Sequence, residues 1–68
     1  MTVQIKLNGD PRELPADSTV VQAVAALTTA ASGVAAAVNG EVLPRGSWAA
    51  TPLRDGDQVE VVTAVQGG

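Results

Sequence analysis

From Thr2 to Leu7 the chain alternates, with Val3, Ile5 and Leu7 apolar and Thr2, Gln4 and Lys6 polar. A period of two marks a strand with one face in a core and the other in solvent. Asn8, Gly9 and Asp10 follow. Asn-Gly is the strongest short signal for a two-residue hairpin turn, because both residues tolerate positive φ. A short second strand is expected over residues 12–14, with Pro11 at its start, where a missing N–H is tolerated. Then the period changes. Val20, Val24 and Leu27 stand at i, i+4 and i+7, one stripe of a helix, and Ala23, Ala25 and Ala26 add helix propensity. Thr19 and Gln22 form a capping box at the entry, where Asp17 and Ser18 add polarity. About three helical turns are expected, with Gly33 suited to the end.

A second hairpin is expected over residues 34–38 and 41–43, turning at Asn39-Gly40. Residues 46–53 keep no sustained period and are expected to form a loop with one short helical turn. Residues 54–57, Arg-Asp-Gly-Asp, read as a turn. The last strand is expected at about 58–63, with Val59 and Val61 on one face and Gln58, Glu60 and Val62 on the other. Two strands, one amphipathic helix, two strands, an irregular segment and a strand predict an α+β roll. In it a mixed sheet of four to five strands packs on one main helix. Residues 1–63 form the domain, and residues 64–68 are expected to be a flexible C-terminal tail.

Composition narrows the chemistry. A chain of 68 residues supports one small core, burying roughly 60% of its unfolded surface. Neither cysteine nor histidine is present, which removes disulfides, thiolate metal sites, the commonest general base and every Ser-His or Cys-His arrangement. Seven acids and four bases give a net charge of −3 with no basic run, a poor match to nucleic acid. The N-terminus has neither the apolar stretch of a signal peptide nor that of a membrane span, so a soluble, cytoplasmic protein is expected. Glycine-rich phosphate loops are absent. No cofactor is expected on this chain, and any ATP requirement falls to a partner.

The remaining polar and aromatic positions have plain readings. Asp55 and Asp57 flank Gly56 and read as turn chemistry with solvated carboxylates. Trp48, the lone aromatic residue, is expected to cap a satellite cluster under residues 44–53. Arg45 is expected to be a solvated charge. Val62 breaks the polar face of the last strand, and Val65 stands just beyond it. Together they suggest contact with a partner.

The sequence closes on Val65, Gln66, Gly67 and Gly68. Residues 64–68 carry no charged side chain and could reach roughly 16–18 Å when extended. Glycines pass a channel too narrow for a Cβ and adopt dihedrals barred to other residues. Two readings follow: an end that simply frays, as termini usually do, or a carboxylate delivered into another protein's active site.

Leu-Asn-Gly-Asp at residues 7–10, Ser-Thr-Val-Val-Gln-Ala-Val at 18–24 and the whole run from residue 35 to Gly68 resemble the ThiS-type sulfur carriers of thiazole (thiamin) biosynthesis. The composite includes Val-Asn-Gly at 38–40, Pro44-Arg45, Trp48, Leu53 and Asp-Gly-Asp at 55–57. The resemblance covers the full length and implies a β-grasp, ubiquitin-like fold. It also implies that Gly68 is the working residue. An E1-like adenylating enzyme would use ATP to activate its carboxylate, and sulfur from a cysteine desulfurase would convert it to a thiocarboxylate. Thiazole synthase would accept that sulfur. Gly67 and Gln66 would thread the tail, and the carrier would not itself be an enzyme. Three other readings share features with this chain. The molybdopterin synthase small subunit has an aromatic-Pro-Pro stretch where residues 62–65 are Val-Thr-Ala-Val. The other two are a protein-conjugating ubiquitin-like modifier or carrier for another sulfur pathway, and a TGS-type binding module.

Overall fold

Five strands and one α-helix account for the computed structural model, which describes residues 1–28 and 33–63. The elements are β1 (Thr2–Leu7), β2 (Asp10–Pro15), α1 (Val20–Leu27), β3 (Val34–Val38), β4 (Glu41–Leu43), a 3-10 helix (Arg45–Ala50) and β5 (Gln58–Thr63). The sheet order is β2-β1-β5-β3-β4. The last strand in the chain is therefore the central one, parallel to β1 and antiparallel to β3. This is the expected α+β roll in its β-grasp form, a mixed sheet packed on one main helix.

Alternation places the core. Val3, Ile5 and Leu7 of β1 and Val59 and Val61 of β5 face inward, against Val20, Ala23 and Val24 of α1. Ala36, Trp48 and Leu53 complete the buried set. Each fully buried aliphatic side chain contributes about 1.5–3 kcal/mol, so a domain this small depends on nearly all of them.

Both Asn-Gly pairs turn as expected. Asn8 and Gly9 have φ of 53° and 86°, and Asn39 and Gly40 have 51° and 85°, two left-handed residues in succession, as a type I′ turn requires. A Cβ on either glycine would meet no atom within 4 Å. The need for glycine there is conformational, not steric.

Several boundaries move. β2 runs over Asp10–Pro15 and not 12–14, because the two-residue turn pairs Leu7 with Asp10 at once. Its two prolines are tolerated on an edge strand, where one row of backbone groups has no strand to pair with. The helix covers eight residues, just over two turns. Thr19 and Gln22 form the expected capping box, with the Thr19 N–H donating to Gln22 Oε1 at 2.7 Å. After the bond from Thr28 N–H to Val24 O at 3.0 Å, the chain becomes extended at Thr28, a β-branched residue that favours that conformation. Leu27 is consequently 41% exposed, and Ala23 takes the buried place the stripe assigned to it. Gly33, at φ 71°, leads into β3 and does not end α1.

The segment 44–57 is more ordered than a loop. Its 3-10 helix spans six residues. It is tied to the helix entry by Val20 N–H to Thr51 O at 3.1 Å and Leu53 N–H to Ser18 O at 3.0 Å. Trp48 is 5% exposed and belongs to the one core, not to a satellite cluster. With Ala23 and Ala36 among its other members, the core needs a large ring, and an indole removes roughly 200 Å² from water. The Trp48 Nε1–H donates to Leu43 O at 3.1 Å. Arg45 is exposed, with its guanidinium 5.4 Å from the ring centroid, so its charge stays in solvent while it covers the ring. Among the described residues no helix is long and apolar enough to cross a membrane.

Candidate partner-docking face

The outer face of the sheet is divided by strand pairing into two halves. Thr2, Gln4 and Lys6 of β1 pair with Pro15, Glu13 and Pro11 of β2, and Thr2 Oγ1 donates to Glu13 Oε2 at 2.9 Å. That half is polar. Across β5 the composition changes. Val62 pairs with Ala35, Glu60 pairs with Ala37, and Ala37 pairs on its other side with Val42 of β4. Directly paired residues share a face with Cβ atoms about 4.5–5.5 Å apart, so these five side chains form one continuous outward surface. Val42 is 72% exposed and Val62 64%. The strand segments around them line a shallow depression of about 410 Å³, with Asn8 at its β1 side.

Single exposed valines are ordinary on a soluble surface. Two valines and two alanines in contiguous register, with one carboxylate among them, are a patch. It spans β4, β3 and the C-terminal half of the central strand, which ends at Thr63. Val62 therefore stands where the sequence places it, on the outward face at the end of β5. Val65, Gln66, Gly67 and Gly68 lie outside the described residues. The sequence reading missed Val42. Its signal was present, since a two-residue turn at Asn39-Gly40 forces Val38 opposite Glu41 and hence Val42 opposite Ala37 on the outer face.

The acidic turn is held in the fold by hydrogen bonds. Asp55 Oδ1 accepts from Gln4 N–H at 2.7 Å. Asp57 Oδ2 accepts from Arg54 N–H at 2.9 Å, and its Oδ1 accepts from Asn39 Nδ2 at 3.1 Å. Among the described residues no group of three or more His, Cys, Asp or Glu could hold a metal ion.

The comparisons with known proteins agree with one another. The model of the ThiS family matches residues 5–68. The sulfur carrier protein ThiS of Escherichia coli (strain K12) is 32% identical over 66 residues, covering 97% of this chain and 100% of that protein. A thiazole synthase of Magnetococcus marinus is 36% identical over 66 residues, which are 97% of this chain but 20% of that longer protein. A crystal structure of a thiamine biosynthesis protein (ThiS) from Geobacter metallireducens superposes with a TM-score of 0.75 at 33% identity, covering 97% of this chain and 100% of that one.

Proposed function

The chain belongs to the ThiS family, the sulfur carriers of thiamine biosynthesis, and from that premise we propose that Gly68 carries the sulfur as a C-terminal thiocarboxylate. An α-carboxylate has a pKa of about 3.5 and is ionised at neutral pH, which makes it a poor electrophile. A partner adenylating enzyme, E1-like in kind, uses ATP to form the acyl-adenylate and release pyrophosphate. The acyl carbon then carries a good leaving group. Sulfur supplied as a persulfide through a cysteine desulfurase attacks that carbon and expels AMP. A thiol reduces the resulting acyl disulfide to the thiocarboxylate with release of a disulfide, and thiazole synthase accepts the sulfur from it. The carrier contributes no acid, base or metal to any of these steps.

The observation that carries the reading is the family match, which extends through Gly67 and Gly68. Two more support it. A region similar to nearly this whole chain occurs within longer thiazole synthases, which favours that enzyme as the acceptor. The apolar patch of Val42, Ala35, Ala37 and Val62 ends where residues 64–68 begin, so a partner docked on it has the tail within reach. Val65 joins Val62 in contacting the partner, and Gln66 and Gly67 thread toward the active site, where a Cβ at residue 67 would obstruct the channel. Glu60 sits within that patch, and burying its carboxylate calls for a Lys or Arg on the partner.

Intact-mass measurement tests the proposal. Incubated with its activating enzyme, ATP and a sulfur source, the protein is expected to gain about 16 Da localised to Gly68, the replacement of one oxygen by sulfur. Extending the chain by one alanine after Gly68 is expected to abolish adenylation with the fold intact. Normal adenylation of that extended protein would refute the terminal-carboxylate mechanism.

A further inference from the structure

The parallel ladder between β1 and β5 is short. Its register pairs Lys6 with Gln58 and Leu7 with Val59, and its last backbone bond runs from Asn8 N–H to Val59 O at 2.9 Å. Beyond that point β1 turns away into its hairpin. Val61 would then face an open edge with both backbone groups unpaired on that side. The Asn8 side chain fills the place. Its Oδ1 accepts from Val61 N–H at 2.8 Å, and its Nδ2 donates to Val61 O at 3.1 Å. A primary amide has the donor and acceptor of a peptide group, so Asn8 extends the ladder by one residue without any backbone.

The consequence concerns the end of β5. On the β3 side, pairing continues through Ala35–Val62 and Val34–Thr63. On the β1 side, among the described residues, no hydrogen bond to β5 lies beyond the Asn8 amide. Among the described residues, Val61 is thus the last position of the central strand gripped from both sides, seven residues before Gly68.

We infer that Asn8 is a positioning residue for the carrier reaction: its side-chain amide fixes the exit direction of β5 and so aims the terminal carboxylate when the outer face is docked. The inference rests on the proposed thiocarboxylate chemistry. Asn8 touches neither Gly68 nor the reacting atoms. Its effect is on the fraction of docked complexes in which the tail enters the active site productively.

A matched control is built into the fold. Asn39 makes the same turn, at φ 51° against 53° for Asn8, but grips the opposite end of β5. Its Oδ1 accepts from Gln58 N–H at 3.0 Å. Asn8→Gly and Asn39→Gly each delete one amide clamp while leaving a residue that adopts positive φ without strain.

The experiment measures adenylation by the organism's own activating enzyme at a range of carrier concentrations, together with backbone amide exchange by NMR. Wild type must be adenylated, or the functional reading and this inference fall together. With wild type active, Asn8→Gly is expected to lower kcat about 10- to 100-fold, as a misplaced reactant does. Its KM is expected to stay within about twofold, because the valine and alanine contacts remain. Amide exchange at Val61 should rise selectively. Asn39→Gly should leave kcat within about twofold of wild type, with faster exchange at Gln58. Equal losses of kcat in the two variants would reduce Asn8 to a general stabiliser and overturn the inference. So would a rise in KM alone for Asn8→Gly, which would make it a simple contact. An unchanged kcat would overturn it while leaving the sulfur-carrier reading in place.

Discussion

Two hairpins in this protein are built on nearly the same four residues, Leu7-Asn8-Gly9-Asp10 and Val38-Asn39-Gly40-Glu41. Their turns agree within 2° in φ at both central positions. In each, the asparagine side chain clamps β5. Yet the first hairpin brings to the outer face prolines, a glutamate and a lysine, and the second brings alanines and a valine. One grips the exit of the central strand and the other its entrance. The cause is direction. β1 runs parallel to β5, so its turn lies toward the strand's end, whereas antiparallel β3 places its turn at the start. Identical local chemistry thus serves opposite ends of one strand, and only tertiary placement distinguishes them.

The largest expected effect separates the residues that precede the two asparagines. Leu7 is 1% exposed and touches the centre of the core, whereas Val38 is half-buried. Leu7→Ala is expected to cost about 2–5 kcal/mol through lost burial and a residual cavity. Val38→Ala is expected to cost about 1 kcal/mol. Urea denaturation of both variants checks this, and equal midpoints would mean that the hairpins share the core evenly.

The clamps should differ less. Asn8 bonds to Val61 where the site is partly buried, and Asn39 bonds to Gln58 and Asp57 near solvent. Water replaces the second set more easily. Asn8→Gly is expected to lose about 1–3 kcal/mol and Asn39→Gly about 0.5–1.5 kcal/mol, read from the same denaturation curves. A reversed order would show that solvent exposure does not set the value of these bonds.

The smallest effect on stability falls on the outer faces, where it becomes the largest difference in docking. Val42→Asp on the apolar half should change stability by no more than about 0.5 kcal/mol, and Gln4→Asp on the polar half should cost about 0.2–1 kcal/mol because its carboxylate stands opposite Glu13. Val42→Asp is expected to raise KM for the activating enzyme about tenfold, the size of one lost interface contact. Gln4→Asp should leave KM unchanged. Steady-state adenylation rates decide the matter, and equal sensitivity of the two halves would remove the outer patch as the docking face.

Most of the scaffold was legible because its signals are local. Alternation in residues 2–7 and 58–63, two Asn-Gly pairs and a Thr-Gln capping box each concern neighbours a few residues apart. The helix end differs from the local signal for the same reason. Leu27 continues a helical stripe by spacing, but the chain leaves the core after Val24, and no local pattern records where the sheet stops covering it. The surroundings of Trp48 lack a period, so the sequence alone points to a small separate cluster. In the tertiary structure it joins the single core beside Ala23 and Ala36. The turn at 55–57 is legible because Asp57 caps Arg54 three residues away. The expectation of solvated carboxylates fails, since Asp55 accepts from Gln4 N–H and Asp57 from Asn39, contacts that only the assembled sheet creates. Val62 could be placed, but Val42 required its register with β3.

By itself the sequence determined the element types, both turn conformations, the helix cap, the inward and outward faces of the strands and the absence of histidine and cysteine chemistry. These follow from steric limits on φ and from side-chain types, which act within a turn or a strand. Only the tertiary structure decided that β5 lies between β1 and β3, that Val42 and Val62 share one surface, and that Asn8 meets Val61 across 53 residues of sequence. Those facts depend on which strand edges pair. That choice is made by the burial of the whole inner face at once, and no short stretch of the chain encodes it.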